Sequence, residues 1–218
     1  MNNNNRGIEI VSKQGQTGIT VSVGRESIST QGEPLDVMLS KQQSSVYLLI
    51  DCSASMNGKK LDQAKQAIVN FATDAIKNNY HVGLMGFDTE ARLICEPVNE
   101  IQLLIVGVNA LRVGGSTNMV TAIKIAHDKL KYIDGFRVIV IATDGMPDDA
   151  KNTLKAAQLA KDDGIEFIAI GTDDADRNFL GKLATRQDLA QKVSSEMFAE
   201  AIETASCLLP SPRGIVKR

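Results

Sequence analysis

The chain has 218 residues, 43% of them hydrophobic and 4% aromatic, and carries 24 Lys and Arg against 26 Asp and Glu for a formal net charge of −2. The apolar fraction excludes a disordered chain, and the near-zero charge gives no overall attraction to nucleic acid or anionic lipid. Three Cys in a chain of this length exclude a disulfide scaffold, and the length suits one α/β domain with an extension.

The N-terminus reads Met1-Asn2-Asn3-Asn4-Asn5-Arg6-Gly7, without a basic segment leading into an apolar run, so no signal peptide is expected. Residues 8–39 carry short β-like runs, Ile8 to Val11, Gly18 to Val23 and Ser27 to Thr30, separated by Gly and polar residues as paired strands are. They predict a small β extension over residues 1–43, which would suit a hairpin laid on a sheet edge. From Val46-Tyr47-Leu48-Leu49-Ile50 onward, strands and helices alternate. A helix follows with Leu61, Ala64, Ile68, Phe71, Ala72 and Ala75 on one face. Val82 to Phe87 is a second strand, in which Gly83 and Gly86 suggest close approach of a helix, and Ala91 to Ile94 is a short strand returned by a tight turn, hence antiparallel. Helical patterns lie within 99–111 and over 118–132, the latter with Ala122, Ile125, Ala126 and Leu130 inward. Phe136 to Ala142 is a central strand, followed by a helix over 149–163 and a strand from Ile165 to Ile170. A short helix at 176–184, a weak strand at 189–193 and a final helix at 195–209 complete the domain before the tail 210–218 with Pro210 and Pro212. The alternation predicts an α/β fold for 44–209: three layers, doubly wound, with a mostly parallel sheet and one short antiparallel strand. No apolar run is long enough to span a bilayer, so no membrane segment is expected.

In such sheets ligands gather at the carboxyl ends of the strands. The first strand of the domain ends in Asp51-Cys52-Ser53-Ala54-Ser55, the central strand ends in Thr143-Asp144-Gly145, and between them Val113-Gly114-Gly115-Ser116-Thr117 opens a helix. Three segments thus bring two carboxylates and several hydroxyls to one rim. These donors are all oxygen, the set a hard cation such as Mg²⁺ takes. The competing reading is that Asp51 and Asp144 merely cap helices. A phosphate-cradling role for Gly114-Gly115-Ser116 finds no following Lys. Asp173, Asp174 and Asp176 should share the rim, as a solvated loop with a helix cap or as acids that attract Arg or Lys of a partner. His81 and His127 suit surface or strand-end roles, and Cys52 points away from the rim as a small buried residue. Lys59, Lys60 and Lys65, on a helix that starts near the site, read as a solvated face or as cations that assist an acidic partner. Cys52, Cys95 and Cys207 are odd in number and widely spaced, so a reducing cytoplasm is expected.

Asp51-x-Ser53-x-Ser55, Thr117 after the Gly-Gly-Ser loop, and Thr143-Asp144-Gly145 together resemble the metal-ion-dependent adhesion site of von Willebrand factor A domains, at all five positions and in chain order. Leu48-Leu49-Ile50-Asp51, Met56, Gly86-Phe87-Asp88-Thr89-Glu90-Ala91 and Asn118 to Ile123 also look like that family, and the resemblance covers about residues 44–209. It implies a Rossmann-like domain of the intracellular or bacterial type, in which Mg²⁺ or Mn²⁺ is held by Asp51, Ser53, Ser55 and Thr117. Asp144 would serve as a ligand or as an acceptor behind them. The ion would complete its shell with an Asp or Glu of a partner protein, such as an AAA-type ATPase or a member of a kinase and phosphatase set. It also implies a switch in which the helix at 195–209 shifts. The chain would then be no enzyme. Two alternatives stay open. One is a Mg²⁺-dependent phosphohydrolase, which would need a second acid where Ser53 stands. The other is a scaffold that self-assembles through the strands of 8–39.

Overall fold

The structure, a computed structural model, describes residues 7–13, 16–23 and 26–30 by their backbone, and residues 43–172 and 174–211 in full. Contacts divide the chain into two compact units that meet in sequence at residues 42 and 43.

The first unit is a three-stranded antiparallel sheet in the order β1 (Gly7–Lys13), β2 (Gln16–Val23), β3 (Glu26–Thr30). All three strands match the expected runs. Register sets Ile8 opposite Val21 and Val21 opposite Ile28, so the alternation of the sequence places these apolar positions in one row across the sheet.

The second unit is built on a six-stranded sheet of order β6-β5-β4-β7-β8-β9. Its strands are β4 (Ser44–Asp51), β5 (Tyr80–Phe87), β6 (Ala91–Val98), β7 (Arg137–Thr143), β8 (Glu166–Gly171) and β9 (Ala190–Lys192). Every pairing is parallel except β5 with β6. The helices are α1 (Lys59–Lys77), α2 (Ile101–Ala110), α3 (Met119–Leu130), α4 (Ala150–Asp162), α5 (Arg177–Leu183) and α6 (Phe198–Thr204). α1 packs with α2 and α6, while α4 packs between α3 and α5, which makes two helical layers around the sheet. This is the expected three-layer α/β fold.

The local chemistry explains most of these elements. The face of α1 that repeats at three and four residues is buried at every expected position. Gly58 starts that helix at φ +80, and Asn79 ends it at φ 63, a left-handed conformation that Asn tolerates. β4 and β7 are buried almost throughout, as strands covered on both faces must be.

Four local expectations are corrected. Gly83 makes room for a neighbouring strand rather than a helix: a Cβ there would stand 2.4 Å from the ring of Tyr47, its register partner on β4. Gly86 does lie close to Leu111, the residue that ends α2. β6 runs on to Val98, past Pro97, because an edge strand needs no amide on its outer side and two register shifts against β5 absorb the irregularity. Ile125 is only partly buried, and Ile123 takes the inward place on α3. The final helix keeps its expected span without a break, but only α6 is α-helical, with contiguous 3-10 turns at Ser195–Met197 and Ala205–Leu208. Side-chain hydroxyls there bond back to the chain: Thr204 Oγ1 donates to the Glu200 carbonyl (2.8 Å) and Ser206 Oγ to that of Glu203 (3.0 Å). Such bonds compete with a continuous helical ladder. The expected tail begins at Pro210, whose carbonyl accepts the Tyr80 hydroxyl at 2.6 Å. Its residues 212–218 lie outside the described residues.

Candidate metal centre

β4 is the strand at which the order of the sheet reverses: the chain runs outward through β5 and β6 and then returns to lay β7 on the other side. A crevice forms at the carboxyl end of such a switch point. Ile50 pairs with Ala142, so Asp51 and Thr143 leave the sheet side by side.

Asp51 is fully buried. Its Oδ1 accepts the Ser53 amide (2.8 Å) and its Oδ2 accepts the Thr143 hydroxyl (2.6 Å). Burial pushes the Asp51 carboxyl above its usual range, the bonds from Thr143 and Ser53 pull it back, and the Asp144 charge pushes it up again. Ser55 Oγ donates to Asp144 Oδ1 at 2.7 Å and lies 3.0 Å from Ser53 Oγ. A hydroxyl has one proton, so the Ser53 hydroxyl is the donor to Ser55. Four of the five expected ligands, Asp51, Ser53, Ser55 and Asp144, are therefore joined in one hydrogen-bonded group. Ser53 and Asp144 are buried, whereas Ser55 is exposed and leaves the group open to solvent.

Thr117 belongs to the adjoining loop, which is tied to the same rim by its backbone. The Gly114 amide donates to the Cys52 carbonyl (2.7 Å) and the Ala54 amide to that of Gly115 (3.0 Å). Thr117 and Asp148 then exchange two bonds, Thr117 N to Asp148 Oδ2 and Asp148 N to the Thr117 carbonyl, both at 3.1 Å. On its other side the loop rests on Asp88 and Thr89, with Asn118 N donating to the Asp88 carbonyl at 2.6 Å. A Cβ on Gly114 would stand 1.9 Å from Asp88 Oδ2, so only glycine lets the loop come this close. Asp88 is itself buried and paired with Arg92.

The capping alternative fails for both aspartates. Among the described helices, α1 is entered through Gly58, α3 is capped by Asn118, α4 by Asp149 and α5 by Asp176. Asp51 and Asp144 are thus buried carboxylates without a helix to serve. Asp176 is a helix cap, accepting the Phe179 amide at 2.6 Å, while Asp173 lies outside the described residues.

Thr143, part of the motif, orients Asp51. Asp148, which holds Thr117, escaped the sequence reading, and Lys60 is not simply a solvated residue: its Nζ donates to Asp144 Oδ2 at 2.8 Å. The histidines stand apart. His81 pairs in register with Ser45 at the opposite end of the strands, and His127 Nε2 meets Asp163 Oδ2 at 2.6 Å. Cys52 is buried, with its thiol pushed up to about 12, chiefly by burial.

Among the described residues no three His, Cys, Asp or Glu side chains gather as a metal site. A cation at this rim would instead use two carboxylates, hydroxyls and water. That donor set suits a hard ion. The Lys60 ammonium on Asp144 shows that the rim already attracts positive charge.

Comparison with known proteins places this geometry. The profile of the von Willebrand factor type A domain matches residues 45–205. The chain belongs to that family. A curated relative is the human calcium-activated chloride channel regulator 4, 29% identical over 150 residues, or 63% of this chain and 16% of that protein. The chain thus spans about a sixth of that relative. Similar solved structures include the pilus adhesin SpaC of Lactobacillus rhamnosus GG, with TM-score 0.68, 16% identity, and coverage of 92% of this chain and 34% of the other. The von Willebrand factor domain of the type V pili tip protein Mfa5 of Porphyromonas gingivalis gives 0.66, 14%, and coverage of 80% and 98%. Proximal thread matrix protein 1 from mussel byssus, with zinc in its metal-ion-dependent adhesion site, gives 0.65, 19%, and coverage of 76% and 46%. Domains of this family are modules of protein–protein interaction and adhesion, and they often bind a divalent metal at such a motif. No described helix is long and apolar enough to cross a membrane.

Proposed function

We propose that Asp51, Ser53, Ser55, Thr117 and Asp144 hold Mg²⁺ or Mn²⁺, and that the ion binds an Asp or Glu carboxylate of a partner protein. The observation that carries this reading is the hydrogen-bonded group itself. Two buried carboxylates share a crevice with two serine hydroxyls, and Ser55 opens it to solvent. Hydroxyl ligands are neutral, so the ion keeps enough positive charge to welcome a further anion. Metal and partner then bind with positive coupling.

The partner is sought among AAA-type ATPases and kinase or phosphatase sets, in the cytoplasm, and no catalysis is assigned to the domain. Neither His81 nor His127 neighbours the rim, and Ser53 stands where a phosphohydrolase would carry its second acid. A pull-down in Mg²⁺ against EDTA, with wild type and Thr117→Ala, tests the proposal. Proteins retained only by wild type in Mg²⁺ support it, and an identical set in all arms overturns it. A second reading, self-assembly through the β1–β3 sheet, draws on its apolar row. It is tested by light scattering with and without residues 1–43.

A further inference from the structure

Lys60 reaches the rim from the first turn of α1. Its pairing with Asp144 is unequal: the Asp144 side chain is 1% exposed and that of Lys60 is 31% exposed. A carboxylate this deeply buried needs a compensating positive charge. Here that charge rides on a flexible stem, and the side chain as a whole is only partly buried. Asp144 is engaged on both oxygens, by Ser55 on Oδ1 and by Lys60 on Oδ2. One contact comes from within the candidate ligand set and the other from a cation outside it.

We propose that Lys60 is a tethered counter-cation, which neutralises Asp144 in the metal-free protein and competes with the divalent ion for that carboxylate. The proposal rests on the metal reading of the rim and adds a residue that sets its affinity. An ammonium and a divalent ion close to one carboxylate repel each other, and the repulsion is strong where water is excluded. The ion must therefore weaken the lysine contact or bind at reduced affinity. Lys60 stabilises the protein without metal and lowers the affinity that the oxygen ligands alone would give. Lysine carries its charge on a flexible four-carbon stem, so the exchange can proceed by movement of the side chain.

Calorimetric titration of Mn²⁺ into the full chain tests the proposal, with wild type, Lys60→Met, Lys60→Gln, Lys60→Arg and Asp51→Ala. The two neutral variants are titrated in parallel so that the result does not hang on the folding of one, and circular dichroism verifies each fold. The expected result is a Kd on the order of tenfold tighter in the neutral variants, near the low end of ordinary coupling between linked ligands. Lys60→Arg should stay near wild type. In EDTA the neutral variants should melt below wild type, and in millimolar Mg²⁺ that gap should close or reverse. Equal or weaker Mn²⁺ binding in both neutral variants overturns the role of Lys60, while the loss of binding in Asp51→Ala keeps the site reading. Unchanged binding in Asp51→Ala, or no binding in wild type and neutral variants alike, overturns the site reading and the proposal with it.

Discussion

Thr143→Val replaces the hydroxyl that orients Asp51 with a methyl group of nearly the same size. Both residues are fully buried, and the bond from Thr143 Oγ1 to Asp51 Oδ2 measures 2.6 Å. A hydrogen bond to a charged group is worth about 1.5–3 kcal/mol. For a domain of this size each kcal/mol moves Tm by roughly 2–4 °C, so the variant should melt about 3–12 °C lower in EDTA. Thr143→Ser keeps the donor and should lose much less. The pH dependence has a definite sign. The hydroxyl favours the ionised carboxylate, so its loss raises the folded-state value of Asp51 further; its contribution is full above the valine variant's value and is lost as pH falls from there through the wild-type value. Burial raises that value, so the gap between wild type and Thr143→Val should begin to narrow at a higher pH than for an ordinary aspartate. Melts by circular dichroism across pH check both claims. A valine variant as stable as wild type at neutral pH, with the serine variant the weaker of the two, would show that the hydroxyl does not hold Asp51.

Gly83→Ala forces a Cβ toward the Tyr47 ring, a fully buried side chain, and should cost about 1–3 kcal/mol in denaturant melts. Combined with Tyr47→Leu, which vacates that space, the alanine should add little further loss, and simple additivity would count against the steric account. Cys52 is buried with its thiol pushed up to about 12, whereas Cys207 is exposed. A thiol reagent at neutral pH should thus label Cys207 in the native protein and reach Cys52 only on unfolding, as peptide mapping would show.

Much of this molecule is legible along the chain because its signals are local. Apolar runs in β4 and β7 and the period of α1 mark elements that burial alone explains. Asp51, Ser53, Ser55 and Asp144 stand at or just past the ends of β4 and β7, where topology brings them together, and Thr117 stands in the loop that opens α3. What escaped depends on contacts between distant segments. The space above Gly83 is fixed by its register with Tyr47, which no local pattern encodes. Lys60 lies on a polar stretch of α1, and only the length of its stem brings it to Asp144. Asp148 matters because its loop folds against Thr117, residues 31 apart in sequence. The final helix shows apolar spacing, yet Thr204 and Ser206 divert its last turns through their own hydroxyls.

The central claim is that the oxygen-lined rim binds a divalent ion. It is tested most directly by the shift in Tm on adding millimolar Mg²⁺ or Mn²⁺ to wild type and to the Asp51→Ala, Ser53→Ala double variant. A ligand that binds only the folded state raises stability by about 2.7 kcal/mol at a hundred times its Kd, which for this domain size is roughly 5–11 °C. A clear upward shift is expected for wild type and none for the double variant; an equal shift in both proteins would show that these residues do not hold the ion.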